Sequence, residues 1–155
     1  MKTGFQAADV WRAFGSHSMG LVVGSGRQVL LGGQVAWDDQ RHVVGIGDMR
    51  AQAQQTFRNI QASLAVVGGE MDDVVSLVTY VTTLKGLKDI HDVRTEFFSP
   101  PYPVSTLVQV AALVEPNLLI EITATAIVPE DRYRAPEAMA MDSFDVSDGG
   151  FNIKN

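Results

Sequence analysis

Residues 48–84 read DMRAQAQQTFRNIQASLAVVGGEMDDVVSLVTYVTTL, and two kinds of secondary structure meet inside them. Met49, Ala53, Phe57, Ile60, Leu64 and Val67 recur at spacings of three and four, which marks one buried stripe on a helix. Asp48 stands where an N-cap is needed and Gly68-Gly69 where a C-terminal cap is needed. After the short linker Met71-Asp72-Asp73, residues 74–84 are rich in β-branched side chains and read as a central strand.

Upstream, two β-rich runs at residues 20–23 and 28–35 flank Gly24-Ser25-Gly26, the signature of a hairpin. Gly32-Gly33 interrupts the second run and reads in two ways. It is either a bulge or a place where a ligand approaches bare backbone. Residues 38–42 form a polar turn, and residues 1–17 read as a turn-rich arm pinned by Trp11 and Phe14.

Downstream, residues 86–98 read as a second helix with Leu87, Ile90, Val93 or Arg94, and Phe97 on one side. The prolines at 100, 101 and 103 end it. Residues 105–113 and 118–128 are two further strands. The order β-β-α-β-α-β-β predicts an α+β domain: a single mixed sheet with two helices on one face. The other face carries Leu30, Val35, Val78, Val108 and Val110, and an apolar sheet surface of this kind predicts an oligomer interface. Residues 129–155 have little periodicity. They are read as an extension, either a mobile tail or an arm docking on a neighbouring subunit through Tyr133, Phe144 and Phe151.

The chain has 155 residues, enough for one domain with a sizeable core. Its formal net charge of -6 opposes binding to phosphate backbones, so no nucleic-acid partner is expected. With no cysteine, disulfides, thiol catalysis and thiolate metal sites are excluded. No His-x-x-x-His or His-Glu-x-x-His motif is present, and no metal or other cofactor is expected. No apolar run approaches the roughly 18 residues that cross a bilayer, and a soluble, cytoplasmic protein without a membrane partner is expected.

Five segments resemble one family. Residues 14–20 (FGSHSMG) resemble its IGPYxQG opening and residues 31–35 (LGGQV) its SGQ strand. Residues 51–60 (AQAQQTFRNI) resemble its AQxxQxxxNI helix, residues 105–111 (STLVQVA) its RSxVxVA strand, and residues 120–127 (IEITATAI) its IEIEAIAV-like last strand. On these motifs, in order across residues 14–128, the chain resembles the YjgF/Rid (reactive intermediate deaminase) family. The resemblance implies a chorismate mutase-like fold and a homotrimer with a small-molecule cleft between neighbouring subunits. It also implies cofactor-free hydrolysis of enamines and imines such as 2-aminoacrylate.

In that family an arginine on the RSxVxVA strand grips the substrate carboxylate, and a glutamate in the last strand positions water. Glu121 matches the glutamate, but Ser105 stands at the arginine position and His17 at the tyrosine of the opening motif. The resemblance makes Glu121, His17 and Ser105 the candidate catalytic residues. Strand alternation places Glu121 with Thr123 and Thr125 on one face, where it reads either as a base acting on water or as an ion-paired surface carboxylate. His17 reads as a ligand contact, a proton shuttle or a solvated loop residue. The candidate substrate-binding residues are Gly33, through its backbone, with Gln34, Trp37, Tyr102, Thr106 and Gln109. Without the arginine, weak or no activity on 2-aminoacrylate is expected, and a divergent ligand. Three functions fit: a C–N hydrolase with Glu121 steering water, a pathway-specific hydrolase or tautomerase using His17, Ser105 and Glu121, or a trimer that binds a metabolite without chemistry.

Overall fold

The computed structural model describes residues 1–137. A four-stranded mixed sheet carries both helices on one face. Its strands are β3 (Arg27–Val35), β4 (Val74–Val81), β5 (Val104–Gln109) and β6 (Ile120–Val128), and its helices are α1 (Met49–Val66) and α2 (Leu87–Phe97). The strand order is β3-β6-β4-β5, with β4 and β5 parallel and the other pairs antiparallel.

The helix ends follow the caps. The Asp48 side chain accepts from the Ala51 N–H at 3.0 Å, and Gly68 takes the left-handed φ of +75° that closes α1. Along β6 burial alternates residue by residue: Ile120, Ile122, Ala124, Ala126 and Val128 face the helices, and the residues between them face the other way. The helix-side set joins Phe57, Ile60, Leu64, Leu77, Val81, Ile90 and Val93 in the main core. Each such side chain contributes about 1.5–3 kcal/mol when buried.

Three features depart from the expectations. Residues 20–23 and 27–35 do not form a hairpin. Instead β2 (Gly20–Val23) pairs antiparallel with β1 (Lys2–Phe5), a strand unannounced by any alternation, and the Gly24 N–H extends that ladder to the Met1 carbonyl. With its hydrogen bonds taken by β1, β2 has no need of β3. Val35 faces the uncovered side, opposite Glu121, but is not exposed there: it is buried with Ala36 and Leu118 in a small second core. Leu30 and Val108 do stay exposed there. Third, Tyr133 packs within its own chain, beneath the Arg27 guanidinium 5.3 Å from the ring centroid. Phe144 and Phe151 lie outside the described residues.

The polar residues of the α1 motif hold the site-bearing loops in place. Gln52 is fully buried; its amide donates to the Gly45 and Asn117 carbonyls and its Oε1 accepts from the Leu119 N–H. Asn59 donates to the carbonyls of Val35 and Trp37. Gln52→Ala strands three backbone groups, so it is expected to destabilise the fold by about 3 kcal/mol in urea unfolding. Arg58→Ala, on the exposed side of the same turn, is expected to stay within about 0.5 kcal/mol of the parent.

Candidate functional site

Glu121 sits on the face of the sheet that the helices leave uncovered. Its neighbours across the ladder are Tyr80 on β4 and Val35 on β3, and Thr123 and Thr125 follow it along β6. The register of β3 against β6 shifts between Leu31 and Gln34, so Gly32-Gly33 does form a bulge. It also meets a close approach. A Cβ on Gly33 would lie 1.9 Å from Glu121 Oε1 and 2.9 Å from its Cδ, whereas one on Gly32 would meet nothing. Neither glycine has a positive φ. A side chain at Gly33 would meet no backbone strain but would have to displace the Glu121 carboxylate, which rests against bare main chain.

A second polar group lies at the β5 edge. Ser18 bridges to Val104 through the Pro103 carbonyl, and its hydroxyl donates to the Tyr102 carbonyl at 2.6 Å. This seats the 15–18 loop against α2. There buried Ser16 donates to the His91 carbonyl at 3.2 Å and lies equally close to His91 Nδ1. The rings of His17 and His91 are 6.4 Å apart, and Phe14 meets His17 edge-on at 6.0 Å with Trp11 beside it at 6.4 Å. One turn along α2, Arg94 is 2% exposed and donates from Nη2 to Thr79 Oγ1 at 3.1 Å.

The remaining candidates scatter. Ser105 pairs with core residue Leu77 and so faces the helices. Thr106 faces the uncovered side and is exposed, and Gln109 donates to the Thr82 carbonyl at the strand end. Trp37 and Gln34 line a groove between β3 and α1. There Trp37 Nε1 donates to Glu115 at 2.9 Å, Arg41 covers its ring, and Gln34 donates to the Gly32 carbonyl. Within one protomer Glu121 and the His17–Ser105 edge are separated by β4, about 10 Å across the sheet, and they face opposite sides.

His91, Arg94 and Tyr80 belong to these groups, and the sequence reading did not single them out as site residues. Arg94 did leave a signal: it falls on the apolar stripe of α2, where an arginine is out of place.

Burial, and then the nearby Arg94 guanidinium, hold His17 below the ordinary imidazole range. The same two causes in the same order, followed by His17, act on His91; Asp92 opposes them weakly. The unfolded chain takes up these protons near pH 6.5 and the folded chain only at lower pH. The unfolded state thus binds more protons in that window, and stability is lost as pH falls below about 6.5. Thermal melts between pH 7.5 and 5.5 are expected to show this decline, and His91→Asn is expected to flatten it.

The family model described as Endoribonuclease L-PSP matches residues 11–128. The chain is 32% identical over 114 residues to a protein of Dermatophagoides farinae named 2-iminobutanoate/2-iminopropanoate deaminase, covering 74% of this chain and 87% of that one. Its fold is similar to the crystal structure of YyfB of Yersinia pestis, a Rid-family protein of unknown function. The TM-score is 0.73 at 31% identity, over 82% of this chain and 98% of the other. It is also similar to RidA of a Psychrobacter species, with a TM-score of 0.61 at 30% identity, over 81% and 99% of the two chains. Among the described residues, no helix is long and apolar enough to cross a membrane.

Proposed function

The chain belongs to the YjgF/Rid family, and from that premise we propose that it is a divergent hydrolase releasing ammonia from a small enamine or imine. The reaction takes place in a cleft between the subunits of a homotrimer. The observation that carries this reading is the Glu121 carboxylate held against the bare backbone of Gly33. A carboxylate so placed takes a proton from water as the oxygen adds to the carbon of C=N. The π pair moves to nitrogen, which takes the proton back from Glu121; an enamine first takes a proton at its β-carbon to become the imine. The carboxylate then takes the hydroxyl proton of the carbinolamine and passes it to nitrogen, so the C–N bond breaks as C=O forms and ammonia leaves. Such substrates are strong electrophiles, so one oriented base is sufficient machinery.

The separation of Glu121 from the β5 edge supports placing the site between subunits. One chain offers Glu121 and Gly33 on the uncovered face, and the neighbour offers its His17 loop. Exposed Leu30 and Val108 on that face favour burial against a second copy. A ribonuclease role is opposed by the net charge of -6.

The test is ammonia release from 2-iminobutanoate made in situ by an amino-acid oxidase, above the uncatalysed background. Sedimentation is expected to give a trimer mass. A monomer would remove the composite cleft, and a trimer inert towards a panel of imines and enamines would leave a metabolite-binding role instead.

A further inference from the structure

Among the described residues, Arg94 is a buried cation with no anion. Burial is the single cause acting on its pKa, which falls to about 10, and no carboxylate among them acts to raise it. Of its five N–H donors, only Nη2 has an acceptor among the described residues, the neutral Thr79 hydroxyl, and the buried Nε has none there. Of the acidic side chains of α2, Asp92 pairs with Lys88 and Glu96 with Arg50 and Gln54, and Asp89 stands in the first turn of the helix. A charge left in this condition costs several kcal/mol unless something pairs with it. The Arg94 charge acts on the His17 and His91 rings, and the nearby Asp92, which also reaches His91, is itself paired with Lys88. Ser16, His17 and His91 stand on the loop side, and exposed Trp11 and Phe14 flank His17 with apolar surface.

We propose that Arg94, rimmed by Ser16, His17 and His91, is the substrate-carboxylate site of this protein. It replaces, from α2, the guanidinium that Ser105 does not supply from β5. The inference rests on the hydrolase reading for the identity of its ligand. It bears on the expectation of a divergent ligand, since the positive charge is retained but comes from another element. The guanidinium fork suits a planar carboxylate with two parallel N–H···O bonds. The apolar rim suits a short carbon chain, so the ligand class is a small 2-imino or 2-oxo acid.

The probe is pyruvate, the 2-oxo acid that hydrolysis of 2-iminopropanoate would release, with acetone as the analogue lacking the carboxylate. Calorimetric titration is expected to show saturable pyruvate binding, none of acetone, and pyruvate-dependent shifts of the His17 and His91 ring proton resonances. Arg94→Met is expected to weaken pyruvate binding more than tenfold while raising the melting temperature by about 3 °C, because an unpaired buried charge has been removed. A merely structural arginine would lower it. If Arg94→Met fails to fold, Arg94→Lys serves, with an expected loss of about fivefold because the fork is gone. Pyruvate binding by either variant within twofold of the parent, or ring resonances unmoved by pyruvate, overturns the proposal. Neither readout involves turnover. A chain that binds pyruvate through Arg94 yet releases no ammonia would therefore remove the hydrolase reading and leave the anion site standing.

Discussion

Glu121→Gln is expected to lower ammonia release from 2-iminobutanoate by two to four orders of magnitude, the range that general-base assistance supplies. The substitution keeps the shape of the side chain and one hydrogen-bond acceptor, and it removes the negative charge and the capacity to take a proton. Glu121 lies on the uncovered face, outside the main core. Unfolding by urea is thus expected to stay within about 0.5 kcal/mol of the parent, and the trimer should persist. A variant that deaminates at the parent rate would show that water needs no carboxylate here, and the hydrolase reading would lose its base.

The parts of this fold that were legible in the sequence are those fixed by local pattern. The α1 stripe, Asp48 at its start and Gly68 at its end lie in one continuous segment whose signals are set by neighbours three or four positions away, and the structure has each in its expected role. The alternation along residues 120–128 likewise placed Glu121 opposite Ile120 and Ile122 before any partner strand was known. What was not legible depends on distant pairing. Lys2–Phe5 becomes a strand because β2 offers it a ladder, and KTGF contains no alternation to announce that. The facing of Ser105 follows from the parallel register of β5 on β4, which sets it beside Leu77. Arg94 looked like a break in an apolar stripe, and its unpaired burial depends on Thr79 of β4, distant in sequence, as its one acceptor among the described residues.

Gly33→Ala is expected to reduce turnover about a hundredfold while leaving the fold intact, which makes it a sharper test of geometry than removing the acid. The added methyl must displace the Glu121 carboxylate, since Oε1, Cδ and Cγ all lie within 3.2 Å of where it would stand. The carboxylate is the far end of a flexible side chain on an uncovered face, so it moves at little cost. Gly33 has no positive φ to strain, and alanine there restricts the unfolded chain, so stability is expected to change by less than about 1 kcal/mol. Rate responds differently, because a catalytic group moved by about 1 Å loses roughly two orders of magnitude. Gly32→Ala is the matched control, with the same substitution one residue away and open space for the methyl; it should keep the parent rate. Equal rates in the two alanine variants would mean that the position of the carboxylate against the strand is not used. Glu121 would then act, if at all, from some other rotamer.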